Sequence, residues 1–209
     1  MLTYLVMGAT YGFAAGAQPG QLQAYLISRT LAHGWRRTLP GALAPIFSDA
    51  PIICLVLVVL VRVPPLFVHL LQTVGGLFLI YLAWGALATY RDGAVTGDAS
   101  AGQTLLRAVL LNLLNPNPYL AWMLVLGPIL IDAWRRHPAN GAALVAAFYF
   151  TMVLVTGLLV VLFSSARALG PRVSRALVGL SALALACFGV YQLWSGGTAL
   201  IGRLRGVLP

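Results

Sequence analysis

Six apolar stretches, each long enough to cross a bilayer, decide what this chain can fold into. They run from Leu2 to Leu31, Leu39 to Val61, Leu66 to Tyr90, Leu105 to Ala133, Ala142 to Ala166 and Ala176 to Trp194. A helix needs about 20 apolar residues to span the roughly 30 Å hydrocarbon core, where every backbone polar group must find a partner inside the protein. The pattern predicts an all-α polytopic membrane protein with six transmembrane helices. Of its 209 residues 60% are hydrophobic and 8% charged, which leaves no polar surface for a soluble domain, so 1–209 reads as a single transmembrane domain. The first stretch has neither a basic start nor a small-residue cleavage site, and is expected to remain as a helix rather than a removable signal.

The first and fourth stretches are longer than a span requires because each is interrupted, at Gln18-Pro19-Gly20-Gln21 and at Asn115-Pro116-Asn117-Pro118. Proline has no amide hydrogen and crowds the carbonyl four residues back, so Pro19 strips Ala15 of its helical partner, and Pro116 and Pro118 strip Asn112 and Leu114. Both helices must break near the membrane midplane. Pro19 and Pro118 each suit the first position of a restarted helix, with Asn117 as cap of the second. Each restart then points a positive dipole end at the membrane centre, where a carboxylate or other anion is the natural guest. Amide side chains gather at both places, Gln18, Gln21 and Gln23 at one and Asn112, Asn115 and Asn117 at the other. They can bond the freed carbonyls or a ligand. Tyr25, Tyr119 and Trp122 follow within one or two turns, placed to wall a pocket or simply to pack.

A weak internal repeat relates the two halves, 1–90 and 104–195, on either side of the polar connector Arg91 to Gln103. An offset of 99 brings Pro19 onto Pro118 and Trp35-Arg36-Arg37 onto Trp134-Arg135-Arg136; an offset of 104 brings Val74-Gly75 onto Val178-Gly179 and Gly85 onto Gly189. Three spans per half make the copies enter from opposite faces, an inverted three-plus-three repeat. Counting arginines on the two faces places both termini outside.

Asp49 is the one acid deep in an apolar stretch. A charged aspartate at a helix centre costs roughly 2.5–3.5 kcal/mol on insertion scales, so it should face the interior, protonated or paired. It can couple a proton, neutralise an ammonium group or hold a neighbouring helix. Arg29 and Arg107 are possible partners, but both stand near helix ends and are expected to snorkel to the interface. Cys54 and Cys187 sit in different stretches and read as small buried apolar residues. His33, His69 and His137 fall in or beside loops without a second ligand at metal spacing. No catalytic triad, carboxylate pair or phosphate loop is present, so neither an enzyme nor a resident metal or cofactor is expected. The net charge of +9, carried by 13 arginines against four aspartates, suits lipid phosphate rather than nucleic acid.

Gln18-Pro19-Gly20, with Arg29 and Gly34-Trp35-Arg36-Arg37 downstream, resembles the Pro-Gly-Pro motif and following Arg and Gly of the LysE/RhtB amino-acid exporters. Leu114-Asn115-Pro116-Asn117-Pro118 resembles that family's second Asn-Pro motif, and Asp49 matches an acidic position in its second helix. Gln21 stands where the family usually has a second proline, and Asn117 where a lysine is common. The resemblance implies export of amino acids or similar small metabolites across a bacterial or archaeal cytoplasmic membrane, driven by the proton gradient. Substrate would bind at Gln18, Pro19, Gly20, Gln21, Asn115, Pro116, Asn117, Pro118 and Tyr119, with Asp49 as the coupling residue, and association into a homodimer is left open. Distant relatives with similar broken helices carry thiol–disulfide electrons or export metal ions, which would require cysteines beside the breaks or clustered metal ligands.

Overall fold

The computed structural model describes residues 1–56, 65–92, 100–166 and 170–207. Among them every regular element is helical: α1 (Leu2–Ala17), α2 (Gln21–His33), α3 (Trp35–Thr38), a 3-10 turn (Leu39–Leu43), α4 (Ala44–Cys54), α5 (Pro65–Asp92), α6 (Ala101–Leu113), α7 (Pro116–Ala121), a wider π turn (Trp122–Leu126), α8 (Gly127–Arg136), α9 (Pro138–Ser165) and α10 (Pro171–Val207). Three helices, α5, α9 and α10, are long and apolar enough on their own to cross a membrane. Among the described residues α6 and the helical run Pro116–Arg136, which meet at 56°, are together long and apolar enough as a bent pair. The first stretch divides into α1 and α2; the 16 residues of α1 reach only about 24 Å. The second stretch is helical through Cys54 and on to Val56, and 57–61 lie outside the described residues.

Close packing follows from missing side chains. The buried residues of α1 are Gly8, Gly12 and Gly16, one per turn along a single face, and that face lies on α9. A Cβ at Gly16 would stand 2.9 Å from the Met152 carbonyl oxygen, and one at Gly12 would meet the Phe148 backbone at 3.0 Å. Small residues let membrane helices approach until their backbones touch. The same device joins α5 to α10, where a Cβ on Gly76 would sit 2.8 Å from the Gly189 carbonyl oxygen. Gly34 ends α2 at φ 86, ψ 161, a conformation essentially reserved for glycine, and so turns the chain sharply into α3.

Two buried clusters fill the interior. One gathers Tyr25, Leu26, Leu79, Leu82, Leu111 and Leu185; the other gathers Ile52, Trp122, Leu126, Phe148 and Met152. Large apolar side chains also cover the outside, among them Phe13, Leu77, Phe150, Leu162, Leu183 and Trp194. A water-soluble surface does not carry such a continuous apolar belt; a lipid-facing one does. Cys54 and Cys187 belong to that exposed face, not to the core as expected, because each points away from its helix's packed side. His69 lies in the second turn of α5, and His137 caps α9, its Nδ1 accepting from the Ala139 N–H at 3.2 Å.

Candidate functional site

Both breaks form, and each is mended by side chains. At the first, Gln18 is extended (φ −62, ψ 123), as a residue before proline prefers. Gln23, reaching back from α2, donates its Nε2 to the carbonyls of Ala15 and Gly16 at 3.3 and 3.2 Å. At the second, the Asn115 N–H takes up the Asn112 carbonyl at 3.2 Å, and Tyr119 Oη donates to the Leu113 carbonyl at 2.9 Å. The Leu114 carbonyl faces α5 where Gly75 has no side chain; a Cβ there would lie 2.5 Å from it.

The restarts differ from the expected ones. Helix α2 begins at Gln21 with Gly20 as its cap, leaving Pro19 outside, and its first intrahelical bond runs from Ala24 N–H to Gly20 carbonyl. The amides of Gln21, Leu22 and Gln23 therefore have no helical acceptor, and glycine offers no side chain to cap them. Helix α7 begins at Pro116, two residues earlier than the Pro118 start, and its cap is Asn115, not Asn117. Asn115 Oδ1 accepts the Asn117 N–H at 3.1 Å, and Pro116 and Pro118 have no amide hydrogen to give. One free helix end points at the site instead of two.

The breaks bound a cavity of about 540 Å³. Gln18, Pro19, Gly20 and Gln21 line it from the first break, Asn115, Pro116, Asn117 and Pro118 from the second, and Asp49 from α4. Tyr119 does not line it. Its ring is 5% exposed and set edge-on against Phe67 at 5.3 Å, because its hydroxyl is drawn to the carbonyl that the break released. Trp122, in contrast, does form part of the wall, whereas Tyr25 belongs to another cavity.

Asp49 is 4% exposed and held by donors from three elements. Asn112 Nδ2 of α6 donates to Oδ1 at 2.9 Å; Tyr149 Oη of α9 and Trp122 Nε1 of the π turn donate to Oδ2 at 3.1 and 3.4 Å. Asn112 Nδ2 also reaches Ser48 Oγ at 2.7 Å, so two consecutive residues of α4 are pinned to α6. None of these partners is a cation, and Arg29 and Arg107 line the other cavity instead. The carboxyl is thus buried at the cavity wall with hydrogen bonds in place of a counter-charge.

Sequence reasoning passed over Gln72 and Gln192, which line the cavity from α5 and α10. Their Oε1 atoms are buried without a hydrogen-bond partner among the described residues. A lone amide in an apolar run was the available signal. Nothing local marked Tyr149, whose role depends on α9 facing α4. Among the described residues no three metal-ligating side chains come together.

Two comparisons return nothing: no curated protein and no solved structure matches this chain. A family model does match, and it covers residues 13–196, taking in both breaks, Asp49 and all of the cavity-lining residues from α2 onward. With a broken-helix cavity inside an apolar helical shell and a match of that extent, the chain belongs to the LysE type translocator family.

Proposed function

We propose that this translocator is a proton-coupled secondary exporter of amino acids or similar small polar metabolites, spanning a bacterial or archaeal cytoplasmic membrane six times as an inverted three-plus-three repeat. The observation that carries the reading is the cavity of about 540 Å³ between the two breaks with Asp49 in its wall, a volume within the usual range for small-molecule sites. The two ends of an amino acid have matching hosts. Its carboxylate faces the uncapped amides at the start of α2, where the helix dipole is positive. Its ammonium group faces Asp49, with the carbonyl oxygens of Gln72 and Gln192 as further acceptors. Gln18, Gln21, Asn115 and Asn117 complete a polar lining that lets a hydrated solute leave water.

Proton coupling is assigned to Asp49 because it is the acid on the cavity wall and has no fixed cation to hold it ionised. Protonation and substrate binding then compete for one carboxyl, which is the minimum required for exchange of proton against solute. The test is efflux of labelled amino acids from vesicles under an imposed pH gradient, comparing the natural protein with Asp49→Asn. The variant is expected to lose gradient-driven transport while equilibrating substrate passively. Full pH-gradient dependence in the variant overturns the coupling role.

A further inference from the structure

A second cavity, of about 220 Å³, lies between α2, α5 and α6 and shares no lining residue with the central one. Arg29 and Arg107 both line it, together with Tyr25, Ser28, Tyr81 and Trp84, and among the described residues no acidic residue does. The Nε and Nη2 atoms of Arg29 are buried and have no hydrogen-bond partner among the described residues. Arg29 therefore does not snorkel: its guanidinium is turned inward rather than towards the interface. Arg107 stands with its Cζ 5.9 Å from the centre of the Tyr81 ring.

We infer that this cavity is a binding site for a phosphate group, carried either by an anionic lipid or by a free anion. Two guanidinium groups facing one small space repel each other, and a buried charge without a partner is costly. An anion between them relieves both penalties at once. Phosphate matches best, because the planar fork of arginine presents paired N–H donors at the spacing of two phosphate oxygens, and Ser28 and Tyr25 add hydroxyls of the kind that complete such a shell. Trp84 and Tyr81, which line the cavity, are 71% and 57% exposed and so connect it to the outer surface. Amphipathic aromatics at such a mouth mark the level of lipid headgroups.

The experiment measures thermal unfolding of the purified protein in nanodiscs of phosphatidylcholine with increasing phosphatidylglycerol, and in lipid-free detergent with increasing inorganic phosphate. Saturable stabilisation is expected, with half-saturation weakened about tenfold in Arg29→Gln and Arg107→Gln and less in Arg29→Lys, which keeps the charge but loses the fork. Should Arg29→Gln fail to fold, Arg107→Gln at the half-buried rim carries the comparison. Stabilisation by phosphatidylglycerol alone identifies a lipid site; stabilisation by inorganic phosphate identifies a free-anion site. No saturable effect of either, or an effect unchanged in the variants, overturns the proposal.

Discussion

At the residue scale, the second break shows how one hydroxyl replaces a lost backbone bond. The Leu113 carbonyl would normally accept from the Asn117 amide, but that amide is taken by Asn115 Oδ1, and Tyr119 Oη substitutes at 2.9 Å. Tyr119→Phe should lower stability by about 1–3 kcal/mol, the cost of leaving a buried acceptor unpaired, while substrate affinity stays unchanged. Thermal unfolding in detergent beside a transport KM separates the two effects. Reading this from sequence was possible only in part. Proline's missing donor is a local fact, so the breaks at Pro19 and Pro116 were legible, whereas which carbonyl is rescued by which side chain depends on the turn that forms. For that reason the restarts were misplaced and Tyr119 was assigned to the cavity rather than to its support.

At the element scale, the glycine face of α1 sets how closely the first break approaches α9. Gly12 touches the Phe148 backbone, and the next residue, Tyr149, donates to Asp49, so the α1–α9 contact and the carboxyl's environment are mechanically linked. Gly12→Leu should push the helices apart, lowering both thermal stability and transport, and Gly12→Ala should do the same to a smaller degree. Parallel measurement of unfolding temperature and initial efflux rate checks this. The Gly8-Gly12-Gly16 spacing was visible in the chain, but a stripe of small residues does not name its partner. The helix lengths were largely legible from hydropathy, as α5 and α9 illustrate. Helix α10 was not: it continues from Trp194 to Val207 through Ser195-Gly196-Gly197, a weak helix-forming stretch in which Gly196 lies too close to the His69 carbonyl and Thr73 of α5 for any side chain.

At the scale of the whole molecule, the apolar belt fixes what surrounds the protein. Cys54 and Cys187 are both part of the outward face, so in a membrane their thiols meet lipid rather than water. Neither should react with a membrane-impermeant maleimide in intact vesicles, and both should react once the protein is denatured. Mass spectrometry of the labelled chain gives the answer residue by residue. Modification of the native protein by the impermeant reagent would mean that the belt is not immersed as its composition requires. Asp49, Gln72 and Gln192, by comparison, line one cavity although they come from three different helices.

The side chain of Gln23 joins two half-helices that have no continuous backbone ladder between them, and its Nε2 is the donor to both Ala15 and Gly16. Such a joint behaves as a hinge held shut by a single pin. Any swing of α1 against α2 must first pull that amide from both carbonyls. The energy required appears as a kinetic barrier to that swing. Gln23→Ala should accordingly alter the rate at which the transporter cycles more than the concentration of substrate at which it half-saturates, a distinction that efflux kinetics measured over a range of substrate concentrations resolves directly.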